Sequence, residues 1–192
     1  MPGGARDGGA RVPAAFRCKA DMAGILIIAH TPLATALRDC IAHIYGGLPA
    51  RIGSIDVTPD CDPAEVVDFA RSEIERLREE NGALVLTDMF GATPANIAGR
   101  LATLPDVRVL AGVNLPMVVR AVCYRTTPLD TLVDKALAGA AKGVQEMSAG
   151  APAQSACDSG CLPQRAQGAS TGAATAGAAG CLPTTDTNPA RS

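Results

Sequence analysis

The chain has 192 residues, 47% of them hydrophobic, yet only three Phe, two Tyr and no Trp, which fits one domain with an aliphatic core. A formal charge of −2 leaves no basic footprint and argues against nucleic-acid binding, and no apolar run reaches the ~18–20 residues needed to cross a membrane. The seven cysteines are scattered and form no Cys-x-x-Cys, and Cys157 and Cys161 stand alone in a tail without histidines. Neither a zinc site nor a disulfide framework is therefore expected, and reduced thiols point to a cytoplasmic protein.

Residues 1–21 are rich in Gly, Ala and Arg and lack the apolar centre of a signal peptide. They read as a flexible extension or a misassigned start, with Met22-Ala23 leading into the first strand. Gly24–His30, GILIIAH, is a short apolar run that ends abruptly in a histidine, the pattern of a strand buried on both faces. Thr31-Pro32 follows and predicts a helix, with Thr31 as its cap and Pro32 at its first position. Leu33, Leu37, Ile41 and Ile44 form the expected apolar stripe of that helix, and Gly46-Gly47 ends it. His43 falls off the stripe and is expected in solvent.

Arg51–Val57 reads as a second strand. Asp62-Pro63 with Glu65 is an acidic capping box opening a helix that turns Val66, Phe69, Ile74 and Leu77 inward and the charged residues of 73–80 outward. Gly82–Asp88, GALVLTD, is a third strand, again an apolar run ending in one polar residue. Thr93-Pro94 starts a helix through about Leu104, and Val107–Ala111 is a fourth strand. Asn114-Leu-Pro116 starts a short helix to about Tyr124. Thr127-Pro128 with Asp130 starts the last, running towards Met147. Cys40 and Cys123 are expected in the core as small apolar residues. Residues 148–192 lose periodicity and are dominated by Ala, Gly, Ser, Thr and Pro, the composition of a disordered tail.

Alternating strands and helices from Ile25 to about Val144 predict an α/β domain: an open, mostly parallel four-stranded sheet, order 2-1-3-4, with helices on both faces. In that order His30 and Asp88 end adjacent strands at the switch point, where a crevice opens. A carboxylate that accepts the Nδ1 proton leaves Nε2 of the imidazole as a nucleophile. Helix N-termini near Thr31 and Thr93 offer N–H groups and hydroxyls to an anion, which suits a phosphoryl group better than an acyl group. No Gly-x-Ser-x-Gly elbow, Walker motif or Gly-x-Gly-x-x-Gly is present, so no serine hydrolase, nucleotide, cofactor or metal chemistry is expected. A small-ligand module using the same crevice has no fingerprint.

Gly24–His30, Leu86–Asn96 (LTDMFGATPAN) and Ala111–Met117 (AGVNLPM) resemble, in order and spacing, the enzyme IIA component of the mannose-type sugar phosphotransferase system, over about residues 22–147. The resemblance implies an α/β domain that forms a homodimer, often by exchanging a C-terminal edge strand. It implies that His30 takes a phosphoryl group from the phosphohistidine carrier HPr and passes it to a IIB component, and that Asp88 orients His30. Thr31 and Thr93 are then phosphate contacts, and Phe90 and Asn114 contribute to partner docking or to the shape of the crevice. Met89 and Phe90 stand where the family often has Thr or Ser and then Trp, and Thr93 where it has Ser. A second reading makes the domain a regulatory module, phosphorylated in the same way but acting on a kinase or another sensor.

Overall fold

The structure, a computed structural model, describes residues 21–146. The expected tail lies outside the described residues, as does all of the expected N-terminal extension except Asp21. In chain order the elements are β1 (Gly24–His30), α1 (Leu33–Tyr45), β2 (Ile52–Val57), α2 (Pro63–Leu77), β3 (Ala83–Thr87), α3 (Thr93–Leu101), β4 (Val107–Ala111), α4 (Leu115–Tyr124) and α5 (Leu129–Lys142). The sheet has the expected order β2-β1-β3-β4, and every neighbouring pair is parallel.

β1 lies inside the sheet, which explains why its sequence is apolar without alternation. Gly24–Ala29 are all buried and only His30 emerges. Ile25, Ile27 and Ala29 face a layer formed by α1, α4 and α5, against Leu37, Ile41, Met117, Val118 and Leu132. Leu26 and Ile28 face the opposite layer, against Val67, Ala70, Ile74 and Ile97 of α2 and α3. Each such fully buried aliphatic side chain contributes roughly 1.5–3 kcal/mol.

Close backbone approaches set the layer spacing. At Gly24 a Cβ would lie 2.8 Å from the Leu77 carbonyl carbon, so the end of α2 packs directly on the start of β1. Gly82 turns into β3 at φ +76°, and a Cβ there would overlap the Asp106 carbonyl oxygen, the oxygen that accepts the Ala83 N–H at 2.9 Å.

Several local expectations differ. In α1 the buried stripe is Ala34, Leu37 and Ile41, and Leu33 is exposed. In α2 it is Val67, Ala70, Ile74 and Leu77. Phe69, two residues from Val67 and so ~200° round the helix, is 56% exposed; the small Ala70 takes the inward place and lets α2 lie close to the sheet. Cys40 is exposed, whereas Cys123 is partly buried with its Sγ 3.3 Å from the Tyr45 hydroxyl. His43 is exposed as expected. α3 and α5 stop short of their expected ends. α5 ends where Gly143 passes against Pro116, leaving no room for a side chain.

Gly82→Ala adds a Cβ both to a left-handed backbone and to a steric overlap. It is expected to destabilise the domain by about 2–4 kcal/mol, read as a lower urea midpoint with unchanged slope.

Candidate functional site

The carboxyl ends of β1 and β3 lie side by side at the middle of the sheet. From β1 the chain leaves to α1 on one face, and from β3 it leaves to α3 on the other. This is the switch point of an open α/β sheet, where the diverging connections leave a crevice.

His30 is the last residue of β1 and Asp88 the first beyond β3. Their side chains meet with Nδ1 2.7 Å from Asp88 Oδ2. The imidazole is 48% exposed while the carboxylate is only 11% exposed. Asp88 is itself held in place. Its Oδ2 also accepts the His30 backbone N–H at 2.9 Å, and its Oδ1 accepts the Met89 N–H at 2.8 Å. Its backbone carbonyl accepts the Gly112 N–H at 2.8 Å, and the Thr87 carbonyl accepts the Val113 N–H at 2.9 Å. The loop after β4 thus fastens the end of β3.

Burial pushes the Asp88 carboxyl up, but hydrogen bonds from the His30 backbone, the His30 ring and Met89 outweigh it and hold the group below its ordinary value of 3.8. An ionised carboxylate only accepts hydrogen bonds, so Nδ1 must donate and carry the proton. The Nε2 lone pair is then left free on the solvent side, the arrangement of a nucleophilic imidazole.

The two helix termini beside this pair differ from expectation. Thr31 is not a cap: its N–H donates to the Val57 carbonyl at 3.1 Å, which continues the β1–β2 pairing by one residue. Pro32 takes the N-cap position of α1, with no side-chain bond, instead of the first helical position. α1 is capped from another strand, by Asp56 Oδ1 on the Thr35 N–H at 3.2 Å. At α3, Ala92 is the N-cap and no side chain caps the helix. The Ala92 N–H bonds the Met89 carbonyl at 3.2 Å and closes the turn one residue early. Thr93 is therefore already helical, exposed, and without a capping role for its hydroxyl.

In the connecting loop Gly91 adopts φ +85°, Met89 is 60% exposed and Phe90 is 90% exposed. Phe90 projects into solvent and does not wall the crevice. Asn114 caps α4, accepting the Met117 N–H at 2.9 Å and donating to the Ala140 carbonyl at 3.2 Å. Both ends of its amide are engaged within the fold. Asp56 had no sequence signal beyond a polar residue between Ile55 and Val57; its position at the end of a strand beside β1 was the one available hint.

Residues 24–137 match the model of the EIIA-man family, described as the PTS system fructose IIA component. The mannose-specific EIIAB component of the phosphotransferase system from Escherichia coli K12 is 29% identical over 111 residues, which cover 56% of this chain and 34% of that protein. The chain thus spans about a third of the length of the curated relatives it matches. The crystal structure of phosphotransferase system component EIIA from Streptococcus agalactiae is 28% identical and superposes with a TM-score of 0.59, covering 65% of this chain and 97% of that one. The mannose/sorbose-specific IIA subunit from Enterococcus faecalis, at 22% identity, shares the fold with a TM-score of 0.60 over 68% of this chain and 98% of that one.

The folded pKa of Asp88 lies below its unfolded value, so its ionisation stabilises the native state above about pH 4. That stability is lost as the pH falls through the lower, folded pKa. The stability gap between wild type and Asp88→Asn is therefore expected to shrink on acidification below pH 4. Denaturant titrations at a series of pH values read this, and a gap that stays level into that acidic range contradicts the assignment.

Proposed function

The chain belongs to the EIIA-man family of phosphotransferase-system IIA components, and from that premise we propose that it is a phosphocarrier in which His30 accepts a phosphoryl group from HPr and hands it to a IIB component. The observation that carries this reading is the 2.7 Å contact between Nδ1 of a half-exposed His30 and the buried Asp88 carboxylate. It leaves Nε2 as the one ring nitrogen open to an incoming group.

In the forward step the Nε2 lone pair attacks the phosphorus of the donor's phosphohistidine. The donor's N–P bond breaks and its electron pair returns to the donor imidazole. The positive charge that develops on the His30 ring is neutralised by Asp88 through the Nδ1 proton, which does not leave. In the second step a nucleophile on IIB attacks the same phosphorus, and His30 departs as a neutral imidazole with Nδ1 still protonated. Asp88 thus stabilises the loaded state and fixes the tautomer that both loads and unloads.

The phosphoryl oxygens are placed towards α3. Its N-terminus has no side-chain cap, so the positive end of the helix and the Thr93 hydroxyl are available to an anion. Thr31 contributes on the strand side, where its exposed side chain adjoins His30. Met89 and Phe90, exposed on the loop just beyond Asp88, offer an apolar contact to a docking protein. Asn114 supports the site by capping α4 on the far side of the loop that bonds Asp88.

β4 is the outer strand, paired only with β3 among the described residues, which supports a homodimer closed by a strand added at that edge. No helix of the described residues is long and apolar enough to cross a membrane. A cytoplasmic carrier working beside a separate membrane permease fits that.

Incubation with phosphorylated HPr is expected to label the wild-type chain with an acid-labile phosphoryl group. His30→Ala is expected to abolish the label. Asp88→Asn is expected to slow labelling by about two orders of magnitude, the low end for losing one preorganised group that stabilises developing charge. Full labelling of His30→Ala removes the reading.

A further inference from the structure

We propose that Asp56, which no sequence motif singles out, is a positioning residue for phosphoryl transfer: it neutralises the N-terminus of α1 and so reserves the phosphoryl group for α3. The proposal rests on the phosphocarrier reading of His30.

Asp56 is the parallel partner of Ala29, and Val57 that of His30. Strand spacing and rise place the Cα atoms of Asp56 and His30 ~6 Å apart. Side chains alternate along a strand, so Asp56 shares the α1 face with Ala29, while His30 falls to the face of α2 and α3. An aspartate is disfavoured in a strand, and this one is partly buried. Its carboxylate bonds the Thr35 N–H in the first turn of α1. α1 has no acidic residue of its own in that turn and no cap from its own N-cap residue.

Two helix N-termini therefore converge on the end of β1, and they are not equivalent. A negative charge already sits at the first. The second, α3, has no side-chain cap. A phosphoryl group on Nε2 carries roughly two negative charges. Asp56 repels it from the α1 side, and the uncapped terminus of α3 attracts it. The same bond also ties the first turn of α1 to β2 and so holds the Thr31–Leu33 corner that leaves from His30.

Charge and geometry are separated by two variants. Asp56→Asn keeps an acceptor for the Thr35 N–H and removes the charge, and Asp56→Ser removes the charge on a shorter side chain that still carries an oxygen. Each is equilibrated with phospho-HPr at low ionic strength, and the ratio of phosphorylated chain to phospho-HPr is measured. Removing a like charge ~9 Å from the phosphoryl group in a water-like dielectric is expected to raise that ratio about fivefold. The increase should fade towards wild type at high salt. A purely structural cap changes the melting temperature and leaves the ratio where it was, so an unmoved ratio in whichever neutral variant folds overturns the proposal. A wild-type chain that takes no label at all removes the phosphocarrier reading, and this proposal with it.

Discussion

Everything at the site depends on one carboxylate oxygen. Asp88 Oδ2 accepts both the backbone N–H and the ring Nδ1 of His30. The first bond fixes the end of β3 against the end of β1, and the second fixes the ring. The same oxygen makes both, so the ring takes its orientation from a carboxylate that the backbone of β1 itself holds in place. The tautomer and orientation of the ring are thereby coupled to the sheet, the most rigid part of the molecule. The bonds that keep Asp88 ionised also make it an effective counter-charge for an imidazole that becomes positive.

The sheet can bear this because its interior strands are buried to their last residues. Thr87 is 1% exposed, and the residue that follows it in the chain carries the charge. On β1 the change from Ala29, fully buried, to His30, exposed, is equally sharp. Apolar packing ends and polar chemistry begins within one residue on each strand, so the reactive group is presented at the rim of the sheet.

The helices add direction. Both termini lie near His30, and a symmetric pair would offer an anion two competing positions. Asp56 at α1 and the bare Ala92–Thr93 start of α3 remove that symmetry. The loop between β3 and α3 then serves two purposes. Its backbone N–H at Met89 steadies Asp88, and its outward side chains, Met89 and Phe90, face solvent.

The apolar runs GILIIAH and GALVLTD determined two central strands, their polar terminal residues and, with the alternation of helices, the strand order. Strand burial needs continuous apolar sequence, and right-handed crossovers leave few arrangements, so the meeting of His30 and Asp88 was legible from the chain alone. Helix caps were legible only where the capping residue is local, as at Asp62 and Asn114, whose side chains bond N–H groups a few residues on. Thr31 and Thr93 carry the same local signal, yet neither caps. Pairing with Val57 holds the first extended, and a turn closed at Ala92 leaves the second already helical. The cap of α1 comes from Asp56, 21 positions along the chain from Thr35, and Phe69 gives its inward place to Ala70 because α2 must approach the sheet closely. These outcomes were decided by the tertiary structure, since each depends on what a neighbouring strand or layer brings to within bonding distance, and local sequence holds no record of that.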